Sequence, residues 1–257
     1  LGFITLIPFF FFFELKKIKK KKFSYNTISI YLGLLAFFLS GGFALQQYSL
    51  LYTDVANAAI FTIFYVLIVP ALSYFLFSKK IHWSVWPAVF VCIIGGFLLT
   101  EIDNVSVRLG DTLVLLGAFF WAFHIVYLSK FLKLFNYPIA ITMGTCLIGS
   151  IIAFIPSLAF ENITLGNLMM EKNELLYAGV LSSGIAFLLQ ALSQQNLSPA
   201  PVAIIFSLEG VFAAIFGWII LNQFLSELKI SGIVLILFAV IFSQLAPIYG
   251  KKSYGRN

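Results

Sequence analysis

Residues 56–77 read ANAAIFTIFYVLIVPALSYFLF, and none of these side chains carries a charge. At about 1.5 Å of rise per residue, a helix of that length reaches roughly 33 Å, enough to cross the ~30 Å hydrocarbon core of a bilayer. A surface helix of a soluble domain needs a charged or strongly polar face, which this stretch lacks. Downstream, residues 201–221 read PVAIIFSLEGVFAAIFGWIIL, again span-length, with Glu209 as their one ionisable group. A water-filled fold has no place for two such segments, whereas a membrane does.

The rest of the chain follows suit. Of its 257 residues, 61% are hydrophobic and only 10% charged, against roughly 25% charged in soluble domains. Candidate spans lie near 1–13, 29–51, 56–77, 83–100, 112–129, 138–158, 175–194, 201–221 and 230–247, joined by short connections. Disorder is excluded by 30 phenylalanines, and a disulfide scaffold by having only two cysteines. The first span is short, since thirteen residues reach only about 20 Å.

An internal register appears when the chain is compared with itself at a shift of 144 residues. Gln46 then meets Gln190, Ser49 meets Ser193, Ala56 meets Ala200 and Ala59 meets Ala203. Tyr65 falls on Glu209, Leu76 on Ile220 and Phe77 on Leu221. The same shift sets Leu1 on Thr145, mid-span, and leaves the helix at 112–129 without a partner in the first half. The expectation is that about 35 residues with one further helix precede Leu1 in the parent chain. The fold expected is all-α integral membrane, a ten-helix inverted repeat of five plus five, with nine helices present here. Residues 1–103 form the first repeat, 104–250 the second and 251–257 a tail.

Charge sets the orientation. Thirteen of the 16 basic residues (Lys16, Lys17, Lys19 to Lys22, Lys79, Lys80, Lys130, Lys133, Lys251, Lys252 and Arg256) fall on alternate connections, hence on one side. The positive-inside rule makes that side cytoplasmic, C-terminus included, in a bacterial inner (plasma) membrane. The other side collects Asp54, Glu101, Asp103, Asp111, Glu161, Glu171, Glu174 and Glu227. With five spans per repeat, the repeats run in opposite senses, an arrangement found in transporters that bind substrate near the midplane. Trp83, Trp86 and His82 mark the cytoplasmic interface belt.

Three stretches carry a resemblance. They are Gly42-Phe43-Ala44-Leu45-Gln46-Gln47-Tyr48 with Thr53 and Ala56-Asn57-Ala58-Ala59; Gly110-Asp111 running into Trp121-Ala122; and Leu208-Glu209-Gly210-Val211 continuing to Gly217-Trp218. In these the chain resembles the EamA family of the drug/metabolite transporter superfamily, over essentially its whole length. The resemblance implies the ten-helix inverted repeat and export of amino acids or other metabolites, without fixing the substrate. Two departures stand out. The family usually has proline after the positions of Tyr65 and Glu209, where this chain has Val66 and Gly210. It commonly has Gly-Glu after those helices, where this chain has Ser78-Lys79 and Asn222-Gln223.

Ionisable groups inside spans are costly and mark functional candidates. Only Glu209 and His124 qualify. Glu209 reads either as a proton-coupling acid or as a neutral acid hydrogen-bonded to neighbouring backbone. His124 shares a helix face with Trp121 and Tyr127, and reads as a substrate or proton site or as a packing histidine. Gln46, Gln47, Gln190 and Gln194 offer donor and acceptor together, suited to a zwitterion or a nucleobase. Their alternative is interhelical bonding, worth about 0.6–2 kcal/mol, and Gln194, near a span end, is expected to meet water. Tyr48, Asn57, Tyr65 and Trp121 complete the expected substrate-binding set.

Absences narrow the class. No Lys or Arg lies deep in a span to hold a phosphate, no Walker A sequence is present, and Cys92 and Cys146 lack metal-ligand spacing. No cofactor or metal is expected, and the lysine run at 16–22 is a lipid anchor rather than a nucleic-acid site. The partners expected are a small-molecule substrate and membrane lipids, and a homodimer is compatible with the sequence. The function expected is secondary transport of small organic metabolites, amino acids or related compounds, by alternating access through a central cavity. Uptake of nucleotide-like or S-adenosylmethionine-like cofactors is the rival; an intramembrane enzyme using His124 and Glu209, or a non-transporting membrane protein, stands further off.

Overall fold

A computed structural model describes residues 1–18, 25–78, 80–101, 108–161 and 164–254. All regular structure among them is helical. Seven helical stretches are long and apolar enough to cross a membrane: Asn26–Ser49, Asn57–Phe77, Leu109–Phe135, Pro138–Phe160, Lys172–Gln194, Pro199–Ile220 and Glu227–Pro247. Gly2–Phe13 and Val85–Thr100 are shorter apolar helices, so each of the nine expected spans is helical. Lys19 to Lys22, Lys79, Asp103 with the 103/104 junction, and the last three tail residues lie outside the described residues.

The elements run α1 (Gly2–Phe13), α2 (Leu15–Ile18), α3 (Tyr25–Ser49), α4 (Val55–Ile63), α5 (Tyr65–Phe77), α6 (Val85–Thr100), α7 (Leu109–Phe135), α8 (Pro138–Phe160), α9 (Leu165–Met170) and α10 (Lys172–Leu176). A π-helix (Tyr177–Ala186) leads into α11 (Phe187–Gln194), followed by α12 (Pro199–Phe206), α13 (Leu208–Leu221) and α14 (Glu227–Tyr254). The chain divides into two compact units. One comprises Leu1–Gly41 and Tyr127–Leu197, the other Gly42–Val126 and Ser198–Asn257.

In the first unit α1 packs on α8 and on the π-helix. The contact is close because the π-helix is built from small residues: a Cβ on Gly179 would lie 2.4 Å from the Leu1 Cβ, and one on Gly184 would lie 3.1 Å from Thr5. The wide π turn withdraws carbonyls from the α pattern, and Cys146 Sγ donates to one of them, Ser183 O, at 3.3 Å. Leu35, Leu128, Phe131, Leu132, Ile141 and Ala191 form an apolar cluster, with Tyr31 stacked on Phe131 at 5.0 Å. Much of the remaining apolar surface, such as Phe154, Ile155, Leu158 and Phe160 on α8, is exposed, as lipid contact requires.

In the second unit α6 and α14 meet backbone to backbone. A Cβ on Gly232 would lie 2.6 Å from Gly95 O, and one on Gly95 would lie 2.9 Å from Gly232 O. Small residues permit this approach where no hydrophobic force draws helices together in lipid. Above the crossing, Glu101 accepts a hydrogen bond from Ser226 and pairs with Lys229 Nζ at 3.2 Å.

Two spans of this unit lose the regular α pattern for one turn, a break in bonding with the backbone still right-handed helical, at the places the 144-residue register pairs, to within one residue. The span 55–77 breaks at Phe64 (φ −59°, ψ −18°) and the span 199–221 at Ser207 (φ −60°, ψ −15°). Both backbones take tight-turn values, with N–H groups donating three residues back, Leu67 to Phe64 O at 3.0 Å and Gly210 to Ser207 O at 3.3 Å. Neither break has a proline beside it. Instead a hydroxyl folds back onto the preceding turn, Thr62 Oγ1 to Ala58 O at 2.8 Å and Ser207 Oγ to Ile204 O at 2.6 Å, which bends helices. The two spans also end alike, on Ser78 (φ 48°) and Asn222 (φ 52°). This left-handed C-cap favours glycine, which accounts for the Gly of the family pattern and locates what its replacements do.

Candidate functional site

One pair of the expected site residues comes together in the second unit. On α3, half-buried Gln46 accepts a hydrogen bond at its Oε1 from Trp121 Nε1 of α7, at 3.3 Å. Phe43 meets the same indole edge-on at 4.7 Å, and Gly42 makes room for it, since a Cβ there would lie 3.2 Å from the ring. The Gln46 amide is thus fixed by its neighbour. Gln47 and Tyr48 are exposed, and Tyr48 Oη shares a hydrogen bond with Tyr52 Oη at 3.1 Å. Asn57 and His124 are buried in this unit.

Tyr65 on α5 and Glu209 on α13 belong to the same unit. Tyr65, first residue after the Phe64 break, is only 4% exposed, and its hydroxyl has no hydrogen-bond partner among the described residues. It lies within electrostatic reach of the Glu209 carboxyl and of the Cys92 thiol on α6. Cys92 is buried on α6, and Ser207 bonds to Ile204 O. Among the described residues Glu209 itself has neither an ion-pair nor a hydrogen-bond partner for its side chain, so the backbone bond of its structural reading is not made here. The Glu209 side chain is exposed.

In the first unit Gln190 and Gln194 sit one turn apart on α11. The expectation that Gln194 meets water is corrected: it is fully enclosed at 0% exposure, and both its amide atoms are unpartnered among the described residues. The chain turns immediately after it, and Gln195 rather than Gln194 takes the surface position, donating to Asn136 Oδ1 at 2.6 Å.

Two buried polar sites lie outside the expected site residues, though Asp111 is part of the Gly110-Asp111 stretch read in the sequence. Glu14, just after the apolar run of α1, is buried, and its Oε1 and Oε2 accept the backbone N–H groups of Ile139 (3.1 Å) and Ala140 (2.8 Å). It caps α8, a helix that opens on Pro138 and has no side-chain cap of its own. Burial holds this carboxyl above the ordinary carboxylate range, while the two N–H bonds and Lys17 act the other way. The second is Asp111, fully enclosed, which accepts from the Thr53 hydroxyl and from the Arg108 N–H at 2.8 Å. A Cβ on neighbouring Gly110 would lie 2.7 Å from Ser49 O, so the Gly-Asp pair anchors the α3–α4 turn to the start of α7. Among the described residues no group of three or more His, Cys, Asp or Glu side chains is placed to hold a metal ion.

The model of the EamA-like transporter family matches residues 1–101 and 108–245. The chain belongs to this family. Membership of the drug/metabolite transporter superfamily follows, and with it the assignment as a multi-pass membrane transporter and not an enzyme. Among relatives, this EamA protein is 27% identical to an uncharacterized transporter of Archaeoglobus fulgidus, over 87% of this chain and 77% of that one. It is 32% identical to an uncharacterized transporter of Methanothermobacter thermautotrophicus, over 72% of this chain and 55% of the relative, so the match spans about half of that protein. A solved crystal structure at 14% identity superposes with a TM-score of 0.79, over 95% of this chain and 85% of its own. At that identity the likeness speaks for the fold.

Proposed function

We propose that this EamA protein is a secondary carrier of small organic metabolites, amino acids or related compounds, working by alternating access. The observation that carries the reading is the matched pair of breaks at Phe64 and Ser207. A turn that departs from the α pattern near the middle of a span is a place where a helix can bend, and the protein has two such turns at paired positions. In this reading the architecture is a ten-helix inverted repeat, 1–103 and 104–250. The two stretches matched by the family model, 1–101 and 108–245, support that division, as do the paired breaks and paired C-caps.

Gln46, Gln47, Tyr48, Asn57, Tyr65, Trp121, His124, Gln190 and Gln194 are the substrate contacts in this proposal, and Glu209, with His124, couples transport to protons. The membrane is a bacterial inner membrane with the lysine-rich side and C-terminus in the cytoplasm. The experiment is uptake into tight proteoliposomes preloaded with pooled amino acids or with pooled nucleotide-type metabolites, with and without a pH gradient. Saturable exchange of the amino-acid pool is expected, and loss of its pH dependence in Glu209→Gln. Exchange of the nucleotide pool alone would turn the reading to cofactor uptake. No flux of either pool would overturn it.

A further inference from the structure

We infer that α9, in the connection between two spans, is a foot in the lipid interface: Leu165, Leu168 and Met169 rest in the boundary between phospholipid headgroups and acyl chains. The inference stands on the membrane assignment and goes beyond the carrier reading. Three observations lead to it. First, α9 is closed by its own bonds. Thr164 Oγ1 accepts from the Asn167 N–H at 3.2 Å at its start, and the Glu171 N–H donates to Asn167 O at 3.2 Å at its end. Second, Leu165, Leu168 and Met169 have the i, i+3, i+4 spacing that gathers side chains on one helix face. That face is uncovered, with Leu165 75% and Met169 60% exposed, and every residue from Thr164 to Ala178 is exposed with them. Asn167 points away on the other side of the turn.

Third, the chain fixes the depth of this face. Glu171 alone separates Met170 from Lys172, where the span Lys172–Gln194 begins. That span is 23 residues long, enough to cross the hydrocarbon core, so Lys172 lies at its edge and α9 at headgroup level. The apolar surface is continuous along the chain on both sides. Leu158 and Phe160 are exposed before α9, and Leu175, Leu176 and Tyr177 after it, as lipid contact requires. A helix with one apolar face at that level sinks the face about 5–10 Å into the interface. Three carboxylates, Glu161, Glu171 and Glu174, stand against one ammonium, Lys172. The apolar face, and not attraction to anionic headgroups, therefore draws α9 in, and a zwitterionic bilayer is the right host for the test.

Met169→Cys and Asn167→Cys are made singly in the full chain, with Cys92 and Cys146 replaced by serine. Each is labelled with the fluorophore NBD in phosphatidylcholine nanodiscs, and quenching is read with acyl-brominated phosphatidylcholine and with aqueous iodide. Brominated lipid is expected to quench the Met169→Cys label about threefold or more beyond the Asn167→Cys label, and iodide to act in the reverse order. Leu165→Cys should behave as Met169→Cys does, and stands in for it should that variant fail to elute as a folded species. Equal quenching of the two faces by brominated lipid, or stronger iodide quenching at Met169→Cys, would overturn the inference. A label at Met169→Cys that neither quencher reaches would put a second copy of the chain on this face and overturn it as well.

Discussion

Ser78 and Asn222 sit in the left-handed conformation that ends their helices, where every Cβ is a strain and glycine is not. Serine at such a position costs about 1 kcal/mol relative to glycine, and asparagine less, because its amide bonds locally. Ser78→Gly is therefore expected to stabilise the protein by about 1 kcal/mol and Asn222→Gly by only a few tenths, measured as thermal midpoints in detergent. Glu14 is the opposite case, a side chain whose removal exposes others. Glu14→Ala leaves the Ile139 and Ala140 N–H groups buried without acceptors, and should cost about 2 kcal/mol. Its pH signature follows from the direction of its shift. Because burial raises the carboxyl in the folded chain, the folded form binds a proton that the unfolded form has already lost. Stability then falls as pH rises from the unfolded carboxylate value toward the folded one. That slope, seen in melting curves across the window, should vanish in Glu14→Gln.

The residue scale is also where the sequence misled. Glu14 could have been found as a lone acid between an apolar run and a lysine run, but its partners are backbone groups 125 residues away, which carry no side-chain signal. Gln194 was assigned to water by its distance along the helix. What encloses it is packing around α11, and linear position does not report that. By contrast Glu209 was legible from one fact, an acid inside an apolar span. Its nearness to Tyr65 was not, although the two stand in the same register.

At the scale of elements, span positions read directly from hydropathy because lipid demands long uncharged helices. The breaks did not, because their cause lies in the hydroxyls of Thr62 and Ser207, residues that also occur in unbroken helices. Proline at the family's positions should therefore act differently in the two spans. Val66 is the second residue of α5, where helix N–H groups lack partners within the helix, so Val66→Pro should change stability by less than about 1 kcal/mol. Gly210 N–H donates to Ser207 O, and a Cβ there would lie 3.1 Å from Leu99 Cδ2. Gly210→Pro should cost about 2–3 kcal/mol. Thermal midpoints of the two variants, measured side by side, check the contrast.

At the scale of the molecule, our proposal that the C-terminus is cytoplasmic rests on 13 of 16 basic residues falling on alternate connections. Lys252→Cys, in a chain with Cys92 and Cys146 replaced by serine, should react with an impermeant maleimide only after inside-facing surfaces are opened. Labelling of intact cells would reverse the orientation. The central claim, that this EamA protein carries its solute by exposing one site alternately to each side, is tested most directly by trans-stimulation. Efflux of a labelled amino acid from proteoliposomes is measured with and without the same unlabelled solute outside. A carrier of this kind should release its label several-fold faster when solute waits on the far side. Efflux that ignores the outside solute, while still requiring the protein, would contradict alternating access and describe a channel.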